Sequence, residues 1–169
     1  MGVSPATSLS WLRRVALLLS RRCFALGLAF VHGHQSAWHQ PPNFADYIRR
    51  ANTSITGFVS LNARFLGPLQ PQHLVDVRET WQDLLEKYLG PFPCPNNVFP
   101  PCCAQFAVSR ERIRAHPLAM WEELLEFSVG RGWDRTQEMR RIEFLWHILF
   151  GQPCFMPITD EKLYVETYF

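Results

Sequence analysis

A carboxylate on the apolar side of a helix carries the most chemical content in this chain. In Arg141-Ile-Glu-Phe-Leu-Trp-His-Ile-Leu-Phe-Gly151, steps of three, four and seven from Trp146 pick out Met139, Ile142, Leu149 and Phe150, and Glu143 falls on the same stripe. Such a group is paired, neutral or active. Partial burial raises a carboxylate's pKa towards the working pH of a general base, and a base must come within hydrogen-bond reach of the proton it takes. The alternatives are an ion pair with Arg140, Arg110 or Arg112, or a hydrogen bond to His147 one turn on.

Two further stretches hold polar groups that could share a cleft with it. Leu28-Ala-Phe-Val-His-Gly-His-Gln-Ser-Ala-Trp-His39 reads as a buried strand that ends at about His32 and opens into a loop at Gly33. Ligands of open α/β sheets gather beyond the carboxyl ends of strands. Three neutral imidazoles, His32, His34 and His39, could bind zinc, but their spacing fits no strong metal signature and no acid lies nearby to orient them. They are therefore read as cleft-lining residues or solvated loop residues, and no metal is assigned. Cys102-Cys-Ala-Gln-Phe-Ala-Val-Ser-Arg-Glu-Arg-Ile113 reads as a short strand running into a helix with Ser109 as cap. Gln105 and Ser109 are either cleft polar groups or plain strand and cap residues.

The remaining elements must carry these stretches. A helix is expected from about Asn43 to Ala51, a second strand over Ile55 to Leu61, and a loop over Asn62 to Gln72. The cleanest helix runs from Asp76 or Arg78 to Leu89, with Trp81, Leu84, Leu85, Tyr88 and Leu89 as a core stripe, and Gly90-Pro91 stops it. The proline-rich Pro91 to Pro101 is an ordered coil or a mobile flap. Ser109 to Ala115 forms a brief helix. Another begins at His116-Pro117 and packs through Leu118, Trp121, Leu124, Leu125 and Ser128. Asp134 or Thr136 caps the last long helix, and the tail beyond Gly151 reads as coil with a short strand. Five cysteines contain no Cys-x-x-Cys, so a zinc knuckle is not expected. Adjacent Cys102 and Cys103 would face opposite sides of a strand, leaving one to meet Cys94 across the proline loop if the compartment is oxidising.

The chain has 169 residues, 47% of them hydrophobic, which suits one globular domain. Its net charge of +2 comes from 17 basic and 15 acidic residues spread along the sequence, so the stripe that nucleic acid requires is missing. Residues 1–27 form an Arg-rich, acid-free segment. Val15 to Ser20 is too short for a signal-peptide core, Cys23 to Val31 runs into histidines instead of a small-residue cleavage site, and neither run is long enough to span a membrane; the segment reads as a surface helix, a tail or a mitochondrial presequence. Residues 28–169 form the single α/β domain. Asn52-Thr-Ser54 is a glycosylation sequon that matters only on the secretory route, and the compartment is otherwise unassigned.

Phe30 to His39, Cys102 to Ile113 and Glu143 to Gly151 together resemble a fungal family known as domain of unknown function 3431. More distantly, Val108-Ser-Arg-Glu111 after a strand, followed by Glu143-Phe-Leu-Trp146 on a helix, is similar to the acceptor half of the core-2/I-branching glycosyltransferases. That resemblance implies a truncated half of a GT-A-like α/β fold, a small sheet covered by helices. It implies Glu143 as the base on an acceptor hydroxyl, and a nucleotide sugar and a sugar acceptor as partners. Ser109, Arg110 and Trp146 join Gln105 and the histidines as substrate contacts, and no cofactor is assigned. The sequence departs from the pattern at Ile142, where Asp is expected. It also lacks most of the upstream nucleotide-sugar half, so an inactive short form is one expectation. The alternative is a non-catalytic binding or scaffold domain.

Overall fold

The computed structural model describes residues 27–31, 44–62, 64–130 and 140–169. At its centre is the strand β3 (Phe106–Ser109), flanked by two antiparallel neighbours, β1 (Gly27–Phe30) and β2 (Phe58–Ser60). Phe30 lies opposite Phe106 and Gly27 opposite Ser109, while Phe58 pairs with Val108 and Ser60 with Phe106. This register stacks Phe30 and Phe58 on either side of Phe106, with ring centroids 4.9 and 5.3 Å away. The chain leaves β1 at the same end of the sheet at which it enters β3, so Val31 and Gln105 mark one end and Ser109 the other. Helices cover this small sheet, as expected for the α/β class.

After β1 comes α1 (Phe44–Arg50). The second strand is shorter than the alternation suggests, because residues 53–56 form a turn that ends on Gly57 at φ 80°. The next helix starts earlier than expected: α2 (Pro71–Thr80) begins at Pro71, whose fixed φ suits a first helical turn, although the polar Gln72 and His73 give no apolar period there. It widens into a π-helical stretch, Trp81–Leu85, and ends as α3 (Glu86–Leu89) at Gly90, φ 78°. Trp81 and Leu85 are buried and Leu84, Tyr88 and Leu89 pack at the core's edge, as the period requires.

The proline-rich stretch is an ordered coil. Leu69 N–H donates to Val98 O at 3.1 Å, Leu66 N–H to Pro100 O at 3.0 Å, and Phe99 N–H to Cys154 O at 2.8 Å. That last bond draws together two segments joined by a disulfide, Cys94–Cys154, with a Cα separation of 5.6 Å. Cys94 therefore does not meet Cys102 or Cys103, whose side chains lie against one another. Their expected opposition across a strand fails because residues 102–104 are a turn, with φ of 75° at Cys103 and 46° at Ala104.

Ser109 caps α4 (Arg110–Arg114), its Oγ accepting from Arg112 N–H at 3.3 Å. In α5 (Leu118–Gly130) the buried residues are Met120, Trp121 and Leu124, whereas Leu118 is exposed. The helix therefore packs through a face rotated one position from the one expected. Lys87 and Tyr88 both bond Glu123 (2.7 and 2.9 Å), tying α3 to α5. The last long helix is not continuous. Residues 140–143 are helical, 144–145 form a turn, and α6 (Trp146–Leu149) follows with every side chain buried. The tail also corrects the sequence reading: it forms a helix, α7 (Glu161–Tyr168), capped by Asp160 through Leu163 N–H at 2.8 Å. Its Tyr164 and Tyr168 pack with Val59 and Met156 in a second cluster, and Tyr164 Oη accepts from Ser60 N–H at 2.7 Å.

Candidate functional site

Glu143 sits where the helical segment 140–143 meets the end of the sheet at which β3 begins. Arg141 holds that segment to α2 through Asp76 (3.1 Å), and Phe144 packs on His73 with ring centroids 5.8 Å apart. The carboxylate is half-buried, and its Oε1 accepts the Cys103 N–H at 2.7 Å. Among the described residues it forms no short ion pair and no hydrogen bond with His147; of the anticipated partners only Arg140 acts on it, through its charge at longer range. Burial pushes its pKa above the usual carboxylate value; the Cys103 amide and the charge of Arg140 oppose the shift without overcoming it.

A gap of about 10 Å³ borders this carboxylate, lined among others by Ser60, Gln105 and Trp146. That is room for about one water or one hydroxyl group. Ser60 Oγ is buried there with no hydrogen-bond partner. Gln105 is fully buried and committed to a local network: its Nε2 donates to Asn62 Oδ1 at 2.9 Å, and Asn62 Nδ2 donates to Cys102 O at 3.0 Å. Trp146 is buried too, its ring 5.5 Å from Phe106 and 6.0 Å from Phe150.

Sequence reading grouped more residues than the fold brings together. Gln105 and Trp146 reach the Glu143 gap. Ser109 and Arg110 lie at the far end of β3, about 10–13 Å of strand away, where Ser109 caps α4 and Arg110 approaches Glu111 at 3.7 Å. His32, His34 and His39 fall outside the described residues. Among the described residues no group of three or more His, Cys, Asp or Glu could hold a metal ion. No helix among them is long and apolar enough to cross a membrane.

His147, one turn beyond Glu143, is fully buried and neither ring nitrogen has a well-formed hydrogen bond. Burial lowers its pKa from 6.5 to about 4, with only a backbone group of Cys154 near enough to oppose the shift. It is a neutral packing residue. Sequence reading missed Ser60, which a short buried strand hides, and the role of Arg112, considered only as a partner for Glu143. The clue to Arg112 was a pair of glycines: a Cβ at Gly57 or at Gly151 would collide with its side chain, and both glycines have positive φ, 80° and 77°.

One family model, described as Protein of unknown function (DUF3431), matches residues 24–165. The chain belongs to the DUF3431 family. The match spans β1, the Cys102 turn, Glu143 and the first five residues of α7, so the elements that build the Glu143 gap are family elements. No curated protein and no solved structure matches the chain.

Proposed function

We propose that this DUF3431 domain is glycosyltransferase-like and that Glu143 is the general base that takes the proton from an acceptor hydroxyl. The observation that carries the reading is the gap itself. A hydroxyl-sized space is bordered by a desolvated carboxylate that makes no short ion pair with a described residue and by a buried Ser60 hydroxyl that lacks a partner. A hydroxyl entering it would donate to Glu143 and accept from Ser60, the arrangement a positioned base needs. The Cys103 N–H fixes one carboxylate oxygen and leaves the other for the incoming proton. The resemblance of Glu143-Phe-Leu-Trp146 to the acceptor half of core-2/I-branching glycosyltransferases supports the same role for the same residue, with a nucleotide sugar as donor.

A second reading, a non-catalytic binding domain, is favoured by the size of the gap, which holds a hydroxyl but no sugar ring. Glu143 is then only a clamp on the Cys102–Ala104 turn. Thermal-shift titration of the full chain with a panel of nucleotide sugars, with and without Mg²⁺ or Mn²⁺, separates the two. A donor bound at 100 times its dissociation constant stabilises by about 2.7 kcal/mol. A rise of several degrees with one nucleotide sugar supports the transferase reading, and no shift across the panel removes it.

A further inference from the structure

A cavity of about 490 Å³ opens at the opposite end of β3 from Glu143, where α4 follows the strand and the chain turns at Gly151. Its size is that of a small-molecule site. Trp81, Pro91, Pro93 and Phe150 give it flat apolar walls, and Arg112, His116 and Gln152 are its polar groups. The Trp81 indole is fixed by its N–H bond to Gly90 O at 2.9 Å, and the proline segment by the Cys94–Cys154 disulfide, so the walls are preorganised.

The Arg112 side chain is threaded between Gly57 and Gly151, neither of which could carry a Cβ without colliding with it. Its Nε donates to Thr56 O at 3.2 Å, and Gln152 Nε2 donates to the same carbonyl at 3.2 Å. That anchors the base of the guanidinium and leaves its two Nη atoms without an acceptor among the described residues. Neither Nη is sealed away from solvent, and no described carboxylate is within ion-pairing distance. His116 uses one ring nitrogen on Leu149 O at 2.5 Å, which leaves the other as a second polar group of the cavity. A half-buried, anchored and uncompensated guanidinium is built to fork onto a carboxylate or phosphate.

We propose that this cavity binds a small molecule with a flat apolar body and one oxyanion head. The head, a carboxylate or phosphate, is held by the Arg112 Nη atoms, and the body lies against Trp81 and the prolines. The proposal is independent of any role for Glu143. Its test is calorimetric titration of the full chain with phenyl phosphate, benzoate, benzyl alcohol and inorganic phosphate. Nuclear magnetic resonance of the Trp81 indole N–H then locates the site.

Phenyl phosphate or benzoate should bind at least about tenfold more tightly than benzyl alcohol and than inorganic phosphate, and should move the Trp81 signal. Arg112→Gln should weaken that binding by about tenfold or more. Ala115→Glu should do the same without touching the core, because Ala115 is exposed at the cavity wall and the new carboxylate would compete for Arg112. If Arg112→Gln fails to fold, Ala115→Glu alone decides. Binding unaffected by Ala115→Glu, inorganic phosphate as tight as phenyl phosphate, or no binding by either aryl anion would each overturn the assignment.

Discussion

Replacing Glu143 by Ala and by Gln separates its mechanical contribution from its charge. Cys103 and Ala104 hold φ of 75° and 46°, a left-handed backbone that costs an L-residue about 1–2 kcal/mol. The turn is therefore strained by about 2–4 kcal/mol. Three hydrogen bonds hold it: Cys102 N–H to Arg64 O at 2.8 Å, Asn62 Nδ2 to Cys102 O at 3.0 Å, and Cys103 N–H to Glu143 Oε1 at 2.7 Å. Glu143→Ala leaves the Cys103 amide without a partner, at a cost of about 1–3 kcal/mol. Glu143→Gln keeps an acceptor oxygen in place and sheds a desolvated charge, so its stability at pH 7 should lie within about 1 kcal/mol of wild type. At roughly 2–4 °C per kcal/mol for a chain of this size, the alanine variant should melt several degrees below the glutamine variant. The pH dependence has a definite sign. Burial raises the folded pKa of Glu143 above its value in the unfolded chain, so its contribution is fully present below that unfolded value and is lost as pH rises through the folded pKa. Glu143→Gln should therefore gain on wild type between pH 4 and pH 8. Thermal melts followed by circular dichroism across that range are the assay. An alanine variant as stable as the glutamine variant at pH 7, or a glutamine variant that loses ground as pH rises, would refute the reasoning.

Three further expectations come from neighbouring residues. Between pH 6.5 and about 4 the unfolded chain holds a proton at His147 that the folded chain does not. Stability is thus complete above that window and falls by about 3 kcal/mol across it, and His147→Leu should flatten the acid limb of the pH–stability curve. Ala104→Gly should stabilise the protein by about 1 kcal/mol in urea unfolding, because glycine accepts the positive φ without strain. Cys154→Ser opens a loop with a sequence separation of 60 and should lower stability by about 2–4 kcal/mol; an unchanged urea midpoint would show that the bond is not formed in solution.

What was legible in the sequence was whatever repeats locally. The Trp81 to Leu89 core face and the Ser109 cap followed from period and capping chemistry, and the fold has both; the single helical stripe that linked Glu143 to Trp146 is interrupted at 144–145. The tail helix did not, because Tyr164, Val165, Thr167 and Tyr168 read as strand formers. The helix is held instead by a contact 104 positions distant, the Ser60 amide on Tyr164 Oη. The same limit hid the Cys94–Cys154 pairing and the Arg112 slot, whose two glycines lie far apart in the chain. The 144–145 break in the last helix gave no signal, since its sequence contains neither Gly nor Pro. Ser60 and Glu143 border one gap only because β2 pairs with β3, a register that alternation alone does not fix.

The most direct measurement is sugar transfer from a panel of nucleotide sugars to hydroxyl acceptors by the wild-type chain and by Glu143→Gln, each first shown to be folded. With Glu143 as base, the wild type should turn over and the variant should lose about 100-fold or more in kcat, the usual share of a general base. Equal turnover by the two proteins, or none by the wild type across the panel, would contradict that role.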